Sequence, residues 1–197
     1  MRNNKFSLYV CVIYIISLPV FAAELPQEFV KLEESYKQQL QKIETDTEKE
    51  TSSLSAKYIE NLRSLEATFQ KAGKLEPLLA AKQERERFQK NNQLAESDMS
   101  ADIPELRAIQ QKYIDDTKMV PVNRAKKIVD LAEKYDKALL ALQEKLTKSG
   151  DVEMAVMVKG KRESLQNQPE VTAAKFLLET ETPKQTSKEI DKTTSAQ

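Results

Sequence analysis

Two stretches of the sequence decide the fold: Lys71–Phe88, which reads K-A-G-K-L-E-P-L-L-A-A-K-Q-E-R-E-R-F, and Lys148–Leu165, which reads K-S-G-D-V-E-M-A-V-M-V-K-G-K-R-E-S-L. They lie 77 residues apart, so Gly73 in the first corresponds to Gly150 in the second. Extending the comparison without gaps aligns 68 positions, of which 15 are identical. An ungapped match of this length indicates that the chain contains a duplicated unit.

Each copy carries an apolar stripe whose members follow one another at steps of 3, 4 and 4 residues. Three positions in 11 residues give a period of about 3.67, which is close to that of a straight α-helix. The spacing therefore predicts a long, nearly straight helix with one apolar edge in each copy, similar to a coiled coil. The apolar members are Phe29, Leu32, Tyr36, Leu40, Ile43, Leu54, Tyr58, Leu62, Leu65 and Phe69, and Leu106, Ile109, Tyr113, Val120, Ile128, Leu131, Tyr135, Leu139, Leu142 and Leu146; the polar residues Thr47, Thr51, Thr117 and Arg124 occupy the remaining positions.

The two glycines mark the ends of the long helices, because a left-handed cap costs glycine nothing. Asp151 is placed to cap the helix that follows Gly150, and Pro77 falls in the first turn of its counterpart, where proline is tolerated. A short helix is predicted to follow each glycine, over residues 75–91 and 152–168. The predicted fold class is all-α, with two tandem αα-hairpins of long and short arms. The predicted boundaries are residues 26–92 for the first hairpin, 93–102 for a linker and 103–170 for the second hairpin.

Chain lengths favour long arms that lie side by side and roughly parallel, with an end-to-end arrangement as the alternative. A long arm of about 46 residues spans roughly 69 Å. The short arm returns about 25 Å, and a ten-residue linker reaches about 33 Å more when it is extended. We therefore expect the chain to come most of the way back before the second long helix begins.

The middle of each long helix breaks the stripe and carries opposite charge in the two copies. Glu44–Glu50 has a net charge of −3, and its aligned partner Pro121–Lys127 has +3. Arg124 lies at a stripe position, which is expected to be buried in the seam between two helices. It therefore needs a nearby carboxylate, because a lone desolvated charge is costly. The candidate carboxylates are Glu44, Asp46, Glu48 and Glu50, from the same chain or from a second one. The alternative is a solvated, frayed stretch, and Pro121 predicts a kink or a break.

The first and last segments differ from the repeats in composition. Residues 1–22 have a basic start with Arg2 and Lys5, an apolar middle of about 14 residues and a small-residue exit, the form of a cleaved signal peptide. An uncleaved anchor is the alternative, but the run is shorter than a membrane-spanning helix needs. Cleavage predicts a secreted or periplasmic protein with no stable membrane anchor. The segment 179–197 is poor in apolar residues and is predicted to be a disordered tail.

Composition excludes several classes of site. The mature chain would contain no Cys, His or Trp, because the one cysteine, Cys11, lies in the signal segment. This excludes zinc and haem sites, a nucleophilic cysteine and a serine nucleophile with a histidine base. Removal of the signal leaves 29 basic and 31 acidic residues, which argues against a nucleic-acid binder. We predict no enzyme, and no catalytic, cofactor-binding or metal-binding residue.

Three features have a functional and a structural interpretation. The tyrosines of the stripes are an aromatic ladder for a sugar or peptide, or seam fillers with a buried ring and a hydroxyl at the rim. The charged run Lys82–Arg87 is a recognition patch, or an exposed face with weak pairs such as Lys82 with Glu86. The apolar cluster Met154–Val158 is an adaptable docking surface, or packing of the short arm on the long one. The structural interpretation is favoured for each.

The pattern Tyr, then Leu-x-x-Leu, then Lys-x-Gly-(Asp/Lys)-(Val/Leu)-Glu resembles a helical repeat of uncharacterised exported bacterial proteins. The resemblance implies a helical-hairpin fold and export, with no activity attached. It supports a non-catalytic module for structural or protein–protein interaction in the cell envelope, which binds a protein partner or associates with itself as a homo-oligomer. A periplasmic holdase similar to the Skp/OmpH chaperones is the alternative. The residues that carry the pattern are Tyr58, Leu62, Leu65, Lys71, Gly73, Leu75 and Glu76, and Tyr135, Leu139, Leu142, Lys148, Gly150, Val152 and Glu153.

Overall fold

The structure, a computed structural model, describes the backbone of residues 25–194 and the side chains of residues 25–181. The predicted signal peptide, residues 1–22, lies outside the described residues. The described part is all-α and contains no strand. Its helices are α1 (Gln27–Lys71), α2 (Leu75–Asn91), α3 (Pro104–Lys148), α4 (Val152–Leu165) and α5 (Pro169–Thr194), with a 3-10 turn at Glu96–Asp98.

Both long helices end in the same hydrogen-bonded turn. Gly73 and Gly150 have φ values of +68° and +83°, a left-handed conformation that glycine adopts without strain. The next backbone N–H donates to the carbonyl five residues earlier, from Lys74 to Phe69 and from Asp151 to Leu146, each at 3.0 Å. This is the Schellman arrangement, which satisfies carbonyls at a helix end. Each turn reverses the chain, so α2 packs on α1 and α4 packs on α3.

The two long helices lie side by side in antiparallel directions. The ring of Tyr36 near the start of α1 stacks on that of Tyr135 in the second half of α3, and Tyr58 stacks on Tyr113. The prediction of roughly parallel arms is therefore wrong in direction. The two long helices together form a rod. The linker does not run back along the length of this rod, because its residues form a compact turn. As a result α3 begins beside the end of α1, where Lys74 lies 3.7 Å from Glu105.

The duplication appears in the structure as an internal pseudo-two-fold relationship. A shift of 77 residues converts Tyr36 into Tyr113 and Tyr58 into Tyr135, so it converts one stacked pair into the other. Two apolar cores follow, one towards each end of the rod. One contains Tyr58, Leu62, Leu65, Phe69, Ala81, Phe88, Leu106 and Tyr113, and the other contains Phe29, Tyr36, the second half of α3, α4 and the first turns of α5.

At the centre of the rod, Arg124 forms a two-pronged ion pair with Glu44. Its Nε donates to Oε2 at 2.8 Å and its Nη2 donates to Oε1 at 2.5 Å. The carboxylate expected for this arginine is thus supplied within the chain. Helix α3 continues without a break through Pro121, and both neighbours of this proline, Val120 and Val122, are buried.

Helix α5 departs from the expected pattern, because the composition predicted a disordered tail over residues 179–197. The backbone is instead helical to Thr194. Val171 and Ala174 are buried in the second core, and this packing supplies the start from which helix propagates at little cost. The last three residues of the predicted tail lie outside the described residues.

Candidate functional site

The most elaborate polar site lies where α2, the linker and α3 meet. The Tyr58 hydroxyl donates a hydrogen bond to Oε1 of Glu84 at 2.7 Å. Arg87 donates two more to the same carboxylate, from Nε to Oε2 at 2.8 Å and from Nη2 to Oε1 at 3.0 Å. Glu84 is only 7% exposed, so its charge needs this arginine. Burial, followed by the adjacent Glu84 carboxylate, raises the pKa of Tyr58 far above its usual range.

The same site fastens the linker to the hairpins. The side chain of Gln110, which is 1% exposed, donates to the carbonyl of Asp98 at 3.1 Å and accepts from the backbone N–H of Ser100 at 2.7 Å. Arg87 also donates to the carbonyl of Gln93 at 3.2 Å and lies 3.2 Å from the Asp98 carboxylate. These bonds hold the compact linker and so place the start of α3 beside the end of α1.

A shallow cleft of about 380 Å³ opens over this network. Glu84, Arg87, Asp98 and Gln110 line it, and each of these side chains already has a partner within the protein. The arrangement therefore works as a latch between the linker and the hairpins. We call Tyr58, Glu84, Arg87 and Gln110 the linker latch.

The second copy does not repeat the latch, although its helices are equivalent. Lys161 stands at the position of Glu84 and Glu33 at that of Gln110, and these two form an ion pair. The hydrogen bond from Lys161 lowers the pKa of Glu33. The buried hydroxyl of Tyr135, the counterpart of Tyr58, has no hydrogen-bond partner among the described residues. Burial, followed by the nearby Glu33 and Tyr36, raises the pKa of Tyr135 to about 12.

The ends of the rod expose apolar side chains at equivalent positions of the two copies. Leu75 is 62% exposed and Leu79 43% exposed at the start of α2, and Val152 and Val156 are 61% and 63% exposed at the start of α4. Each pair is spaced by four residues, so both members lie on one helix face. We call Leu75 with Leu79 the α2 tip, and Val152 with Val156 the α4 tip.

The tips lie at opposite ends of the rod, because the long helices are antiparallel. Each long helix has 45 residues, which corresponds to a length of about 67 Å. Neither tip can cover the other within one chain. The charges beside them differ at one equivalent position, since Lys74 precedes the α2 tip and Asp151 precedes the α4 tip.

The structure corrects several interpretations of sequence features. The tyrosine rings fill the seam as expected, but the hydroxyls of Tyr58 and Tyr135 are buried and do not lie at a rim. The run Lys82–Arg87 is exposed only in part: Lys82 and Glu86 are exposed, but no ion pair joins them within the described residues. Its Glu84 is buried, and its Arg85 binds Glu66 on α1 at 2.6 Å.

The apolar cluster of α4 divides between core and surface. Met154 and Val158 pack in the second core as expected, whereas Val156 faces solvent. The signal for the exposed tips was present in the repeat, because Leu79 aligns with Val156 and Leu75 with Val152 outside the buried stripes.

No sequence-based prediction named a catalytic, cofactor-binding or metal-binding residue. Among the side chains that the structure describes, those of residues 25–181, no group of three or more His, Cys, Asp or Glu is arranged to hold a metal ion. None of the helices in this described part has the length and apolar character that crossing a membrane requires. No family model, curated protein or solved structure matches the chain.

Proposed function

We propose that this chain is an exported, non-catalytic helical module that acts by protein–protein interaction in the cell envelope. The observation that carries the proposal is the repetition of an exposed apolar pair at the start of α2 and of α4. Single exposed apolar residues are common on soluble proteins and need no explanation. Two pairs at equivalent positions of both copies form a repeated pattern, and this repetition supports contact surfaces that a partner covers.

The remaining architecture fits a role in positioning two contact surfaces. Both tips sit on helices that are fastened to the long helices, by Arg85 to Glu66 in the first copy and by Arg162 to Asp136 in the second. A contact surface that is already held in place loses less conformational entropy when it binds a partner. The signal peptide predicted from the sequence of residues 1–22, which lie outside the described residues, supports a location outside the cytoplasm.

A photo-crosslinking amino acid placed at Leu79 or at Val156 of the exported protein tests this proposal. We expect a discrete crosslinked species from each tip position in the intact cell envelope. The matched control is Glu60, an exposed position of α1 away from the tips, and it should give no such species. Equal crosslinking at all three positions, or none at either tip, would contradict the proposal.

A holdase chaperone remains the second candidate, because exposed apolar side chains at the ends also suit an unfolded client. The two functions differ in what they bind. A holdase suppresses aggregation of an unfolded protein at near-equal molar ratio, and this activity falls when Leu75, Leu79, Val152 and Val156 are all replaced by serine. An interaction module with a defined partner leaves the aggregation rate unchanged.

A further inference from the structure

The two segments that lead into the tips have net charges of opposite sign. Residues 71–76 carry Lys71, Lys74 and Glu76, a net charge of +1, and residues 148–153 carry Lys148, Asp151 and Glu153, a net charge of −1. The difference arises at one equivalent position, Lys74 against Asp151, since the other charges are conserved between the copies.

Both of these charges are accessible to a partner. The side chain of Lys74 is 54% exposed, and its contact with the half-exposed Glu105 is loose, at 3.7 Å. Asp151 is exposed and accepts one bond, from the backbone N–H of Met154 at 3.3 Å. A contact between two α2 tips would bring lysine against lysine, and one between two α4 tips would bring aspartate against aspartate. A contact between unlike tips places Lys74 opposite Asp151, the two charges that differ between the copies.

We propose that the partner of the α2 tip is the α4 tip of a second copy of this chain. This proposal rests on the proposed interaction function and identifies the partner as a second copy of the chain. Leu75 and Leu79 of one copy pack against Val152 and Val156 of the next, with Lys74 facing Asp151. Because the two tips lie at opposite ends of the long helices, a contact between two copies leaves one free tip on each of them. Such head-to-tail contacts generate open chains.

The contact is small, with two exposed apolar side chains from each copy and a single pair of opposite charges. Interfaces below about 1,200 Å² are characteristic of weak, transient association. Chain growth is therefore expected at protein concentrations of about 10 µM to 1 mM. It decreases with added salt, which screens the attraction between exposed charges.

Sedimentation velocity of the chain from Ala23 to Gln197 tests the proposal with two variants that each keep one tip. Leu75→Lys with Leu79→Lys leaves only the α4 tip, and Val152→Lys with Val156→Lys leaves only the α2 tip. We expect the wild type to grow with concentration, each variant alone to stay monomeric, and an equimolar mixture of the two to form a dimer. Dimerisation of either variant by itself, or a wild type that stays monomeric to 1 mM, overturns the proposal.

Two further variants keep the test specific. Phe176→Lys removes an apolar side chain that is 67% exposed on α5, away from both tips, and should associate as the wild type does. Lys74→Gln with Asp151→Asn removes the two charges and keeps a capping residue at 151. It should weaken association about two- to five-fold and flatten its salt dependence. Unchanged association and salt dependence in this pair contradict the charge pairing.

The outcome also separates this proposal from the function on which it rests. A monomeric wild type whose Leu79 still crosslinks to a different protein in the envelope refutes self-association and leaves the interaction function standing. A crosslinked species with twice the mass of the chain supports both.

Discussion

Tyr36 stacks on Tyr135 across the seam between the two long helices, with ring centroids 4.4 Å apart and ring planes 17° from parallel. The equivalent pair, Tyr58 and Tyr113, has a centroid separation of 4.6 Å. The two pairs exchange under the 77-residue shift of the repeat. This exchange requires antiparallel helices, and antiparallel helices in turn place the two apolar tips at opposite ends.

Replacement of the equivalent tyrosines by phenylalanine should change stability in opposite directions. Tyr58→Phe removes a hydrogen bond to the buried Glu84, and we expect it to lower the free energy of unfolding by about 1.5–3 kcal/mol. Tyr135→Phe removes a buried hydroxyl that has no partner, and we expect an increase of about 1 kcal/mol. Urea titration followed by circular dichroism measures both values. Equal losses in the two variants would show that Tyr135 has a partner as Tyr58 does.

The buried stripe should be intolerant of charge at equivalent positions in both copies. Leu62 and Leu139 are fully buried, so Leu62→Asp and Leu139→Asp should each cost about 4 kcal/mol or more. Leu75→Asp, at an exposed apolar position, is the matched control and should change stability by less than about 0.5 kcal/mol. The melting temperature and helicity report the difference. If Leu62→Asp and Leu75→Asp behave alike, the stripe is not the buried edge.

Much of this fold could be predicted from the sequence, because the repeat and the apolar spacing act locally along each helix. The ends of α1 and α3 and the bounds of α2 followed from the glycines and the stripe. Helix direction did not follow, since an apolar stripe buries equally well against a parallel or an antiparallel partner. The compact linker brings the start of α3 beside the end of α1, and the hydrogen bonds from Gln110 and Arg87 that hold it have no signature in a single sequence.

The sequence also contains a signal for helix α5, which lies outside the apolar stripes. In α3 a second apolar row, Ala125, Val129 and Ala132, belongs to the core that includes α5, whereas the equivalent residues of α1 are Glu48, Ser52 and Ser55. This difference between the copies predicts a helix against α3 and none against α1. The buried position of Glu84 depends on tertiary contacts with Tyr58 and Arg87, so the charged run alone gave no sign of it.

Acid pH should loosen the central and second-copy ion pairs. The hydrogen bond from Arg124 lowers the pKa of Glu44, as that from Lys161 lowers the pKa of Glu33. A lowered folded-state pKa gives stability that is present above the unfolded value of 4.5 and is lost as pH falls through the folded value. We expect the melting temperature to decline below about pH 5.

The variant Glu44→Gln isolates the central pair. Because Glu44 and Arg124 are partly exposed, the pair contributes no more than about 1 kcal/mol at neutral pH. The variant should lose this amount and show a shallower acid decline, while Glu48→Gln on the exposed side of α1 should follow the wild type. An identical pH profile for Glu44→Gln and the wild type argues against the pair.

The packing of α5 predicts that the loss of stability caused by an introduced charge depends on which face of the helix the charge occupies. Val171→Asp places a charge in the second core and should cost about 3 kcal/mol. Phe176→Asp, on the exposed face of the same helix, should have little effect. Hydrogen exchange of the Val171→Asp variant should show a loss of protection first in the second half of α3, against which α5 packs. Helix α2 should keep its protection longer. Uniform loss across the chain would mean that the two cores unfold as one.

The most direct test of the central claim is the distance between the two tips of one chain. Spin labels at Ala72→Cys and Ser149→Cys, in a mature chain that contains no other cysteine, report it by double electron–electron resonance with excess unlabelled protein. Antiparallel hairpins place the labels about 67 Å apart, the length of a 45-residue helix. A distance below about 30 Å would mean that the long helices are parallel, with both tips at one end, and would contradict the account.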